Sequence, residues 1–160
     1  MKNKLMQLIL ILFSLVFAIR VLTILTADRL YSMSPAAETG KITSDRAIVY
    51  LDLATTLDST NADIYFQKYK VLDLKQKNSI LNTRYSILKK QLHLLRHCIN
   101  LCPSWPRYHL TYALTLERMS PIPNLMTRQM ILSELQKATT LKPYSSLYQH
   151  IHQTRLNLYK

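Results

Sequence analysis

The chain has 160 residues, a formal net charge of +12 and a single glycine, Gly40. That length holds one modest domain beside one further segment. So little glycine excludes phosphate-cradling loops and argues against β-hairpins, because both draw on positive-φ positions.

Residues 1–27 come first in chain order. Lys2 and Lys4 precede an apolar run over residues 5–27 that is interrupted by one charge, Arg20. As a helix those 23 residues reach ~34 Å, enough for a hydrocarbon core of ~30 Å. Ending the run at Arg20 leaves residues 5–19, a length that suits a signal-peptide core, and Val16-Phe17-Ala18 resembles a small-residue cleavage site. Against cleavage, the apolar run continues through residues 21–25 and would leave the mature chain a sticky start. The expectation is a retained anchor that lets Arg20 snorkel, with a cleaved signal as the alternative. Lys2 and Lys4 give it an N-in orientation, a single pass through the inner (plasma) membrane with the rest in the periplasm or outside.

Residues 28–43, with Pro35 and Gly40, read as a linker before a helical domain over residues 44–160. Thr43 or Ser44 caps a helix reaching about Leu57, with Ala47, Leu51 and Ala54 on one face. Ser59-Thr60-Asn61 turns the chain and caps a helix to about Gln76 that carries Tyr65, Tyr69 and Leu72 at helical spacing. Asn78-Ser79 opens a longer helix, Ser104 with Pro106 the next, reaching Met119. Residues 120–124 form the strongest break, followed by a helix to Leu141 and a last one opened by Pro143-Tyr144-Ser145. Six antiparallel helices follow from these signals, all α, as a short solenoid or bundle.

A helix-ending pattern recurs through this domain. Ala54-Thr-Thr-Leu-Asp-Ser59 returns as Cys98-Ile-Asn-Leu-Cys-Pro103 and as Ala138-Thr-Thr-Leu-Lys-Pro143. Each copy places a small packing residue, a core Leu and a stop at a helix C-terminus. The run through Asn61-Ala62, Tyr65, Tyr69 and Leu72 resembles the junction between tetratricopeptide (TPR) repeats. Pro103 with Tyr108, Ala113 and Leu116, and Pro143 with Tyr148, are further matches. The resemblance covers residues 44–158, although the copies lie 44 and 40 residues apart where the family period is about 34. The surplus is expected in the helix after Ser79 and in the Pro121–Pro123 connection.

The resemblance implies that the first helix of each hairpin lines a concave face. On this chain that face holds Phe66, Lys70 and Asp73 from one helix and Arg107, Leu110, Leu114 and Arg118 from another, the expected partner-binding residues. An anchored array of this kind also resembles small accessory proteins of bacterial envelope and surface-polysaccharide assembly, which implies a protein partner of such an assembly.

Charge bears on the alternative. Residues 64–160 carry fifteen Lys or Arg against three acids, whereas residues 28–63 carry three against six. Such a basic lobe is either a solvated surface or one drawn to polyanions. Lys68, Lys70, Lys75, Lys77, Arg84, Lys89, Lys90 and Arg96 fall on consecutive helices. An anionic polysaccharide or lipid-headgroup surface is therefore the alternative ligand. Nucleic acid is not expected outside the cytoplasm.

No chemistry stands out. His93 and His97 are one turn apart, a spacing open to a metal, but Leu94 occupies the position where a zinc protease needs Glu. They read as a surface pair, His109 as isolated, and Cys98 and Cys102 as buried packing residues that do not form a disulfide along one helix. Trp105 reads equally as buried beneath its turn or exposed as an anchor. No enzyme activity, cofactor or metal is expected.

Overall fold

The computed structural model describes residues 2–77 and 81–159. Helices occupy α1 (Lys2–Met33), α2 (Ser44–Leu57), α3 (Ala62–Lys77), α4 (Leu81–Leu101), α5 (Pro106–Met119), α6 (Leu125–Leu141) and α7 (Ser146–Leu158). No strand occurs among the described residues. The expected start at Asn78-Ser79 lies outside them.

Local chemistry sets most boundaries. The side chains of Thr43 and Asn124 accept hydrogen bonds from the Arg46 and Thr127 N–H groups at 3.3 and 2.9 Å, capping α2 and α6. Asn61 Oδ1 accepts from the Asp63 N–H at 3.0 Å and starts α3. Ser145 caps α7. Pro106 stands in the first turn of α5, where its missing N–H costs nothing.

Residues 28–43 differ from the expected linker. α1 continues through Met33, Pro35 opens a 3₁₀ turn over Ser34–Ala37, and Leu30, Tyr31, Ala37 and Ile42 pack onto the core. Apolar residues on both sides of the turn provide burial that local composition does not reveal. Gly40 at φ 72° reverses the chain into α2, a conformation other residues rarely adopt.

Consecutive helices pack antiparallel as hairpins α1–α2, α3–α4 and α5–α6, closed by α7. Ala27, Ala47, Leu51, Ala54, Ile64 and Val71 form one buried cluster where α1, α2 and α3 meet. A larger one draws on α3 to α6, including Phe66, Tyr69, Leu95, Cys98, Tyr112, Ala113, Ile131 and Leu135. Cys98 and Ala138 fill small sites at 0 % and 1 % exposure, the role the recurring pattern assigns them. The surplus repeat length sits partly in α4, which has 21 residues against 14 in α2.

Cys102 corrects the pairing of the cysteines as buried. α4 stops at Leu101, so Cys102 falls in the turn and is exposed, while burial pushes the Cys98 thiol up to about 12.

Candidate functional site

The hairpin junctions share one construction. Tyr65 donates its hydroxyl to the Ser59 carbonyl at 3.3 Å, His109 Nε2 lies 2.8 Å from the Pro103 carbonyl, and Gln149 Nε2 donates to the Pro143 carbonyl. Each side chain stands six residues after the stop residue of the recurring pattern. Three different donor chemistries thus close the same turn and fix where α3, α5 and α7 begin. Tyr65 therefore has His109 and Gln149 as its counterparts, rather than Tyr108 and Tyr148. His109 is not isolated. Its Nδ1 lies 2.6 Å from Glu134 Oε2 on α6, and a neutral ring donates only one of its two bonds whereas the imidazolium donates both. Burial pushes the Glu134 carboxyl up, but hydrogen bonds from His109 and Lys137 outweigh it and hold the group below its ordinary range.

With their starts fixed, α3 and α5 run parallel and in register. Tyr108 donates to Asp63 at 3.0 Å near one end, and Arg118 Nη1 to Asp73 at 2.8 Å near the other. Between them the Phe66 ring, 7 % exposed, lies under two cations. Lys70 Nζ is 5.8 Å and Arg107 Cζ 4.8 Å from its centroid, distances at which the ring face attracts a cation. Tyr69 and Tyr108 back that ring at 5.7 and 5.2 Å between centroids. Neither Lys70 nor Arg107 has a carboxylate partner among the described residues.

The seven expected residues thus divide three ways. Phe66, Lys70 and Arg107 converge. Asp73 and Arg118 pair with each other, and Arg118 also reaches Gln76 Oε1 at 2.6 Å. Leu110 of α5 is buried in the larger cluster and Leu114 is half-buried against it, so the two add little apolar surface to the face.

A second concavity was not assembled by sequence reasoning. A cleft of about 740 Å³ lies among α2, α3 and α4, with Ile48, Leu72, Ile87 and Leu94 as apolar lining and Lys68, Lys75, Lys89, Lys90 and His93 around it. Asp52 and Asp45 pair with Lys68 and Lys75. The spacing of Lys68 and Lys75 on one face of α3 was the available signal, but it does not reveal that α4 stands opposite. His97 packs its ring on Tyr65 at 4.3 Å, and no group of three His, Cys, Asp or Glu is placed to hold a metal among the described residues.

The architecture is that of a TPR-like array of helical hairpins. Solved structures share it. The Arabidopsis OM64 TPR domain superposes with a TM-score of 0.63 at 12 % identity, covering 83 % of this chain and 96 % of that one. The first TPR of Spaghetti (RPAP3), bound to the HSP90 peptide SRMEEVD, has a TM-score of 0.63 at 10 % identity over 84 % of this chain and 94 % of its own. The Yersinia enterocolitica type III secretion chaperone SycD, in complex with a peptide of the translocator YopD, has a TM-score of 0.59 at 14 % identity over 84 % and 89 %. At these identities the likeness is one of fold. No protein-family model matches the sequence, and no curated protein is significantly similar to it.

Proposed function

We propose that the protein is a membrane-anchored scaffold whose α3–α5 face holds an acidic segment of a partner protein of an envelope or polysaccharide biosynthesis or export assembly. The observation that carries this reading is the convergence of Lys70 and Arg107 over Phe66 without a carboxylate partner among the described residues. An acidic peptide gains two cations from adjacent hairpins there, and Asp73 and Arg118 limit one end of the face. Structural neighbours solved with bound peptides support a protein partner. The one helix among the described residues long and apolar enough to cross a bilayer is α1, which supports the anchor. Lys2 and Lys4 favour N-in insertion, with the array in the periplasm. The envelope context rests on the resemblance in architecture.

Proteins crosslinked in intact cells and co-purified with the full-length chain test this. Replacing both cations, Lys70→Gln with Arg107→Gln, should lower recovery of the crosslinked partner several-fold while helical content is unchanged. Equal recovery rejects this face.

The α2–α3–α4 cleft favours a second reading, in which the basic lobe takes an anionic glycan or headgroup directly at Lys89 and Lys90. Such binding weakens steeply as ionic strength rises, and a Lys89→Gln, Lys90→Gln variant loses it while keeping the protein partner.

A further inference from the structure

The length of α1 that a bilayer needs overlaps the length already packed into the array. Ala27 is 1 % exposed in one cluster with Ala47, Leu51 and Ala54 of α2, and Thr23, one turn earlier, is half-buried. Leu22 and Leu25 nevertheless stay 63 % and 60 % exposed on the sides α2 leaves open. Lipid contact that stops at Arg20 uses residues 5–19, about 22 Å of helix, against a hydrocarbon core of ~30 Å. The missing length is in residues 20–25, whose exposed leucines require an apolar environment. α2 runs antiparallel along that stretch, so its C-terminal end is carried down to the membrane with it.

The topology extends this to the whole array. Because successive helices alternate in direction, the α2–α3, α4–α5 and α6–α7 turns all lie at the end toward which the apolar half of α1 points. Two of these turns expose aromatic side chains, Trp105 at 55 % and Tyr144 at 99 %. Leu141 and Leu147 flank Tyr144 and are exposed too, with Lys142 between them. The carboxylates at this end are engaged: Asp58 accepts from the Thr60 hydroxyl at 2.8 Å, and Asp63 from Tyr108. Trp and Tyr prefer the membrane–water boundary, where an apolar ring and a polar edge are both satisfied, and Lys gains from anionic headgroups.

We propose that this end of the array rests in the headgroup layer of the bilayer that α1 spans, with Trp105 and Tyr144 seated at interfacial depth and Lys142 among the headgroups. The inference rests on the reading of α1 as a retained anchor. It makes the bilayer a second partner of the array itself, which is thereby held in one orientation rather than tethered by a linker.

Trp105 is the only tryptophan in the chain, so its fluorescence reports on this end directly. The full-length protein is reconstituted into vesicles of phosphatidylcholine and phosphatidylglycerol without bromine, with acyl chains brominated close to the glycerol to reach Trp105, and with acyl chains brominated near their ends to reach the bilayer centre. A parallel variant, Phe13→Trp in a Trp105→Phe background, reports on the middle of α1. Bromine should quench most of the Trp105 emission and the lipid-bound spectrum should shift to shorter wavelength. Unquenched Trp105 beside a quenched reporter at position 13 overturns the proposal and leaves the anchor standing. Loss of quenching at both positions overturns the anchor as well.

Discussion

The apolar face of α2 is covered by α1, whereas α7 at the opposite end covers α6 and has no helix over its outer side among the described residues. At the first end Ala47, Leu51 and Ala54 are fully buried, with Ala27 in the same cluster, and small residues let two helices approach closely. At the last end no residue of α7 is buried, and Leu147 and Leu158 are exposed. Half-buried Tyr148, Ile151 and Tyr159 pack against the core, and polar contacts add to them. Arg155 Nη2 donates to Glu117 at 3.0 Å and Tyr159 to the same carboxylate at 2.8 Å. The difference teaches that one end derives its order from full apolar burial against α1, while the other combines half-buried side chains with a few charged and hydrogen-bonded groups.

Truncating one core-facing side chain at each end is the strongest way to break that contrast. Leu51→Ala should cost about 2–5 kcal/mol in chemical denaturation, by lost transfer energy and a residual cavity. Ile151→Ala in half-buried α7 should cost about 1 kcal/mol. Equal losses would show that the two ends are stabilised alike.

The next effect lies between the two ends, at the junction of α5 and α6. The Glu134 carboxyl is held below its ordinary range in the folded state. Its contribution is therefore present above the ordinary carboxylate range and is lost as the pH falls through the depressed folded value. Thermal melts should fall on acidification, and Glu134→Gln should flatten that part of the profile. An unchanged profile would remove the His109–Glu134 pair from the account of acid stability.

The smallest effect is expected at the C-terminal end. Arg155→Ala breaks a partly exposed pair and should cost about 0.2–1 kcal/mol. Added salt should reduce the difference between variant and parent. A loss as large as that of Leu51→Ala would make the Glu117 pair the principal hold on α7 and reverse the comparison.

What the sequence made legible was local. Thr43, Asn61, Pro106, Asn124 and Ser145 mark helix starts with groups that act within a few residues, and the recurring pattern marks three helix ends. The continuation of α1 through residues 28–33 was hidden, because Pro35 and Gly40 look like a linker until the apolar partners on α2 are in place. At the site, Phe66, Lys70 and Arg107 were legible individually from the repeat resemblance. Their convergence, and the Asp73–Arg118 pair, depend on the α3–α5 register across more than forty residues, which no short-range signal encodes. The burial of Leu110 depends in the same way on the packing of neighbouring helices.

The unlike fates of the two cysteines equip the chain with a native labelling position. Cys98 is sealed in the core as a thiol, whereas Cys102 is open to solvent in the α4–α5 turn, three residues before Trp105. A maleimide dye or nitroxide would therefore attach selectively at that turn, giving a spectroscopic probe of that end of the array without any engineered residue.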